Sequence, residues 1–206
     1  MKKSKIRSVI LICAGSVIII AAILLTTYNL WDDSRAGVAA GDVLIEVNET
    51  VQENAEIRKN DSGKDKDNVI DPNMEMPVIV VDGYEYIGTI TIPSLRVELP
   101  IMADWDYERM KIAPCRYSGS AYQDNLIICA HNYSSHFGHI DDLQYNDLVI
   151  VTDAVGNIFR YRVAETELLD GTAVEEMTAG DWDLSLFTCN YSGRARVTVR
   201  CERSEK

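Results

Sequence analysis

Apolar and polar positions follow different rules along three stretches of the chain. From Val9 to Leu30 no charged residue occurs. As a helix at 1.5 Å per residue this run spans about 33 Å, close to the thickness of bilayer hydrocarbon. Lys2, Lys3, Lys5 and Arg7 precede it, and Asp32-Asp33 follow. The positive-inside rule therefore predicts a cytoplasmic N-terminus and an exported remainder. The apolar run passes directly into Thr26–Trp31, and the small residues Val38-Ala39-Ala40 come late. That pattern fits an uncleaved single-pass anchor better than a cleaved signal peptide. Ile12 ahead of Cys13 argues against a lipid-modified cysteine, and the absence of a polar face argues against a soluble core helix.

From Asp32 to about Met76 the chain is rich in Asp, Glu, Asn, Lys and Ser, with a low-complexity piece over Lys59–Asp67. Its lack of a sustained period predicts a charged, flexible stalk, with a short helix conceivable around Asp42–Arg58. The predicted organisation is thus 1–31 tail and anchor, 32–76 stalk, and 77–206 a folded domain.

Beyond residue 76, short β-rich runs alternate with turn signals. Strands are predicted over Pro77–Val81 and Tyr86–Ile92 around Asp82-Gly83. Others are predicted over Val97–Met102, Leu126–Ala130, Asp147–Thr152 paired with Ile158–Leu168, Leu184–Thr188 and Arg194–Cys201. Short helices are predicted near Trp105–Ile112, Gly138–Leu143 and Thr172–Met177. Many short strands in so small a domain predict a mostly antiparallel barrel or sandwich.

Composition narrows the function. Lys and Arg number 20 against 32 Asp and Glu, a net charge of −12. A surface this acidic argues against nucleic-acid binding through phosphate neutralisation. Five cysteines with no C-x-x-C pair argue against a disulfide framework, a zinc ribbon or a thioredoxin-like motif.

Two apolar strands end in reactive residues: Leu126–Cys129 leads through Ala130 to His131, and Leu184–Thr188 leads to Cys189. A cysteine needs a proton acceptor or a nearby positive charge to become a useful thiolate, and a histidine can supply the first. The last strand places Arg194, Arg196, Thr198 and Arg200 on one face and Val197, Val199 and Cys201 on the other. If it pairs with the strand ending at Cys189, a permanently charged guanidinium lies beside the thiol. On spacing alone, a cysteine at a strand end is more often a small buried hydrophobe than a nucleophile.

The words around these residues are more specific. Ser185-Leu186-Phe187-Thr188-Cys189 followed by Arg196 resembles the Thr-Leu-x-Thr-Cys…Arg signature of the sortases, membrane-anchored cysteine transpeptidases of Gram-positive bacteria. Ala130-His131-Asn132-Tyr133, with Phe137, Leu143 and Asn146–Val151, resembles their histidine motif and the Gly-Asp-x-Val strand after it. Tyr86–Pro93 and Leu99-Pro100-Ile101 resemble the opening strands of the same domain. The resemblance covers about Pro77 to Arg203, and the anchor and stalk suit the family layout. It implies an eight-stranded β-barrel, with Cys189 as nucleophile, His131 as acid/base partner and Arg196 as transition-state stabiliser. Thr188 and Asn132 are implied as substrate contacts. Arg196 is preferred to Arg194 because the family arginine opens the last strand, whereas Arg194 sits in the turn Tyr191-Ser192-Gly193. Arg200, further along, is read as structural. Ser185 for Thr, Ala130 for Gly and Asn146 for Gly depart from the family pattern; Asn accepts left-handed turn geometry.

The resemblance further implies a substrate, the C-terminal LPxTG-like sorting signal of exported proteins, and an acceptor, a peptidoglycan-precursor or pilin amine. Catalysis would take place outside the cell membrane without a cofactor. Alternatives are a cysteine endopeptidase using water, a pilin-polymerising sortase, and a catalytically silent tethered binding module. The local cluster His131, His136 and His139 is read as no metal site. The acidic residues Glu165, Glu167, Asp170, Glu175 and Glu176 are as readily a solvated loop as the calcium site that some sortases carry. Cys129 could be a redox partner of Cys189, but a packed core thiol is favoured. Asp71-Pro72-Asn73 lacks the aromatic residue of the lid found in pilus-building sortases and is read as a turn.

Overall fold

The computed structural model describes residues 2–61, 70–190 and 192–204. The chain forms two compact units, Met1–Arg35 and Ala36–Lys206. Part of the low-complexity stretch Lys59–Asp67, and Tyr191 of the turn before the last strand, lie outside the described residues. A long helix, α1 (Lys2–Asp61), accounts for the whole of the first unit. Its apolar side chains, from Val9 through Trp31, are exposed, and it is long and apolar enough to cross a membrane.

Among the described residues the second unit is built on nine strands. These are β1 (Ile79–Val81), β2 (Tyr84–Ile92), β3 (Val97–Met102), β4 (Cys115–Ser118), β5 (Leu126–Cys129), β6 (Leu148–Asp153), β7 (Ile158–Asp170), β8 (Leu184–Cys189) and β9 (Ala195–Arg203). They run in the order β1-β2-β3-β4-β5-β8-β9-β7-β6, and β6 pairs back onto β2. Eight strands thus close a barrel, and β1 adds a hairpin at its side. The predicted strand and turn positions are recovered, except that β4 was not anticipated. It is short and meets β3 at one parallel pair, Met102 with Cys115. The helices expected near residues 105–112 and 138–143 shrink to single helical turns, Arg109–Lys111 and Ile140–Asp142. The third is α2 (Val174–Thr178).

Side-chain alternation sorts the core into two layers. Leu126, Ile128, Leu184, Leu186, Val199 and Cys201 fill the barrel interior. Ile127, Cys129 and Phe187, from the opposite face of the same strands, join Cys115, Met110 and Met177 in an outer layer. Closure requires Gly88. Its φ is +138°, at the bulge in the β2–β3 ladder, and a Cβ there would meet the Thr152 carbonyl oxygen at 1.9 Å. Asn146 takes φ 71° at the turn into β6, as its stand-in for glycine requires.

The segment expected to be a flexible stalk is different. The chain is helical through Asp61, and from Ala36 onward it belongs to the barrel unit. Ala36, Ala40, Val43, Val47 and Val51 are all buried. Their spacing of three or four residues makes one narrow stripe, which the surrounding charges and the outward Val38 and Ile45 obscure in sequence. Polar groups fix the far end. Asn54 donates to the Ala154 carbonyl at 2.9 Å, and Arg58 to Asn157 Oδ1 at 2.7 Å. Downstream, Asp71 accepts from the Asn73 amide at 2.9 Å, so Asp71-Pro72-Asn73 is a turn as read.

Candidate active site

The site lies on the outer face of the barrel, where β5, β8 and β9 end together. Pairing of β8 with β9 sets three residues opposite three: Ser185 with Arg200, Phe187 with Thr198, and Cys189 with Arg196. On the other side, β5 runs parallel to β8 with Cys129 in register with Phe187. The Ala130 amide continues this pairing to the Phe187 carbonyl at 3.2 Å. The next residue, His131, leaves the sheet. Its carbonyl accepts from the Phe137 amide at 3.3 Å, and Tyr133 accepts from His136 and Gly138 at 2.9 and 2.8 Å, so a tight turn carries the imidazole.

Cys189, His131 and Arg196 line one pocket of about 220 Å³. The structure therefore brings together the three residues singled out in the sequence. Arg194 is exposed in the preceding turn and does not line the pocket. The Nη1 atom of Arg196 is buried and donates no hydrogen bond among the described residues. Nearby Asp170 has its carboxyl held below its ordinary value, chiefly by the Thr172 hydroxyl and amide, with a smaller pull from Arg196.

Thr188 and Asn132 do not line the pocket. Thr188 is buried, and its hydroxyl donates to the Ala130 carbonyl at 2.9 Å. It staples the strand bearing Cys189 to the strand leading to His131. Cys129 does line the pocket, but it is buried. Burial, then the neighbouring Cys115, pushes its thiol well above the ordinary value, the state of a packed neutral thiol.

The walls went unrecognised in the sequence. Trp105 and Tyr107, 40% and 66% exposed, form one side. Trp105 packs 5.2 Å from Tyr117, which meets Phe187 edge-on at 5.3 Å. Gly171, Val174 and Met177, from the crossover between β7 and β8, also line the pocket. Aromatic residues in a predicted helix carry no sign that they will face a distant strand end, so only the fold reveals this wall.

The other histidines are accounted for. His136 is buried, its ring edge-on to Tyr133 at 5.3 Å, and exposed His139 faces Asp142. Among the described residues no three His, Cys, Asp or Glu side chains group as a metal site. Of the five acidic residues near the crossover, Glu167 is taken up by Arg200 at 2.6 Å.

A family model, the Sortase domain, matches residues 90–204, more than half of the chain. No curated protein matches. Among solved structures, sortase C of Streptococcus pneumoniae superposes with a TM-score of 0.57 at 19% identity, covering 80% of this chain and 97% of its own. Sortase A of Listeria monocytogenes gives 0.51 at 22% identity, covering 58% and 88%. Sortase C of Clostridium perfringens, solved with a C-terminal cell wall sorting motif, gives 0.51 at 19% identity, covering 80% and 91%. These likenesses speak for the barrel alone; the family match, over residues from β2 through β9, carries the assignment, and the chain belongs to the sortase family of transpeptidases.

Proposed function

We propose that this chain is a membrane-anchored cysteine transpeptidase. It cleaves an LPxTG-like C-terminal sorting signal of exported proteins and transfers the new carboxyl end to an amine of the cell wall or of a pilin. One observation carries the reading: Cys189 and Arg196 face each other across β8 and β9 in the pocket that His131 also lines. The solved C. perfringens sortase C with its sorting motif supports the substrate class by analogy.

The Cys189 thiolate attacks the scissile carbonyl carbon, and the electron pair moves onto oxygen. Arg196, whose Nη1 has no protein partner among the described residues, donates to that oxyanion. As the C–N bond breaks, His131 gives its proton to the departing amine, leaving a thioacyl-enzyme. The acceptor amine then attacks the thioester, His131 takes its proton, and Cys189 leaves as thiolate. No step needs a metal or an organic cofactor. The helix from Val9 to Leu30 keeps the domain at the outer membrane face, where exported substrates and wall precursor meet.

The test is to incubate the full chain in detergent with Leu-Pro-x-Thr-x and Asn-Pro-x-Thr-x peptides, with and without a glycine or diaminopimelate amine, and weigh both partners. A thioacyl adduct on Cys189 and an amine-dependent ligated product are expected. Cleavage without ligation would make it an endopeptidase. No adduct from any peptide, with a Cys189 inert to alkylators, would make it a tethered binding module.

A further inference from the structure

Among the described residues Arg200 is the largest fully buried side chain, with 2% of its surface exposed. A guanidinium cannot be buried cheaply, so its partners matter. Nε donates to Glu167 Oε1 at 2.6 Å. Nη1 donates to the Met177 carbonyl at 2.7 Å and to Ser185 Oγ at 2.9 Å. Nη2 donates to the Glu176 carbonyl at 2.8 Å. Four bonds thus join β9 to β7, to β8 and to the last turn of α2.

The two carbonyls are the informative partners. Carbonyls in the last turn of a helix have no intrahelical donor and attract positive charge. α2 is a single short turn, which cannot hold its shape alone. It carries Val174 and Met177, which line the pocket. The start of the crossover is held separately, by the Gly171 amide donating to the Arg194 carbonyl at 2.8 Å. Its end is held by Asp183, which accepts from the Arg203 amide at 2.6 Å and the Leu126 amide at 3.3 Å. Between these two points, beside the buried Met177 side chain, the guanidinium hydrogen-bonds α2 itself to the sheet. Ser185, the hydroxyl residue that opens the Ser-Leu-Phe-Thr-Cys run, aligns it.

We propose that Arg200 is a positioning residue that preforms the α2 wall of the substrate groove, in place before the peptide arrives. This rests on the reading of the pocket as the peptide site. Arg200 lies four residues beyond Arg196 and does not line the pocket, so it acts through α2 and not on the reacting atoms.

The test compares wild type with Arg200→Met and Arg200→Lys as full chains in detergent. Hydrogen exchange of the amides in 171–183 should accelerate at least tenfold in R200M, with the β5 amides unchanged, and R200K should fall between. With a sorting peptide, KM should rise about tenfold in R200M while kcat changes less. Alkylation of Cys189 by iodoacetamide should stay within about twofold, because the thiol is untouched. Unchanged exchange in 171–183 would overturn the proposal, as would alkylation falling in step with kcat at constant KM. Should R200M not fold, Glu167→Ala removes the carboxylate that accepts from Nε, which is only partly exposed, and about threefold faster exchange of the same amides is expected. No change in E167A would then overturn the proposal. Failure of wild type to turn over any peptide would count against the peptide site, while the exchange data would still decide the role of Arg200.

Discussion

Cys189 and Arg196 are direct cross-strand partners at the shared end of β8 and β9. A residue pair in antiparallel register holds its side chains a few ångströms apart on the same face without help from any loop. The thiol and the guanidinium are therefore preorganised by the barrel ladder itself. Cys189→Ala should abolish transpeptidation, and Arg196→Ala should lower kcat about 10²–10³-fold, the cost of removing one oxyanion donor. Arg196→Lys keeps the charge but loses the planar fork and should recover only part of this. Single-turnover kinetics by mass spectrometry would decide, and turnover surviving in Cys189→Ala would remove the nucleophile assignment.

Much of this site is legible in the sequence because it is local. Leu126 to His131 and Leu184 to Cys189 each read as an apolar strand ending in a reactive side chain, and strand ends are where the barrel gathers them. Alternation puts Arg194, Arg196 and Arg200 on one face of the last strand, and only the likeness to the family signature, whose arginine opens that strand, picks Arg196 among them. The rest depends on contacts distant in the chain. Trp105 and Tyr117 make a wall only because β3, β4 and β8 come together, and Arg200 looks like any other charge until Glu167 and the α2 carbonyls surround it. The buried face of α1 is hidden for a different reason: a stripe of alanines and valines set among charges carries little hydrophobic signal.

Thr188 offers a test of how the two strand ends are tied. Its hydroxyl is buried against the Ala130 carbonyl at 2.9 Å, one residue before His131. Thr188→Val preserves shape but leaves that carbonyl without its donor, a loss of about 1–3 kcal/mol. Urea unfolding of the variant should show a lower midpoint with an unchanged slope. A variant as stable as wild type would mean that the staple contributes nothing.

Alkaline pH should unfold the barrel through its buried thiols. Burial raises Cys115 from 9.0 to about 12, and raises Cys129 and Cys201 further. The folded state keeps protons that the unfolded chain releases, so stability is full below pH 9.0 and falls as pH climbs toward about 12. Each such thiol contributes a slope of up to about 1.4 kcal/mol per pH unit. Tyr86, raised to about 12 from 10.0, adds to the loss at higher pH. Urea midpoints measured from pH 7.5 to 10.5 should decline beyond pH 9, and Cys115→Ala should flatten the decline by about one proton. A stability that holds or rises over this range would contradict the burial of these groups.

The helical segment from Ala36 to Asp61 should count as part of the catalytic unit, and truncation separates that view from a stalk. Val43, Val47 and Val51 are buried against the layer that contains Ile79, Val81 and Tyr86. At about 1.5–2 kcal/mol for each buried valine, an upper estimate, the stripe stabilises the barrel by about 5 kcal/mol. Backbone approaches show how closely it packs. A Cβ on Gly156 would fall 2.7 Å from Ala55 Cβ, and one on Gly37 would fall 3.0 Å from Ser135 Cβ in the turn that carries His131. A chain starting at Ala36 should therefore unfold cooperatively at a urea midpoint well above that of a chain starting at Pro77, which exposes Ile79, Val81 and Tyr86 to water. Val47→Asp in the longer chain should reproduce most of the loss, because it buries a charge without a partner. Gly37→Leu should lower the midpoint by an overpacking cost of about 1–3 kcal/mol and lower peptide turnover about tenfold, by displacing Ser135 and with it the His131 turn. Equal midpoints for the two truncations would return the helix to the role of a tether. A Gly37→Leu variant as active as wild type would show that the His131 turn holds its shape without the helix beside it.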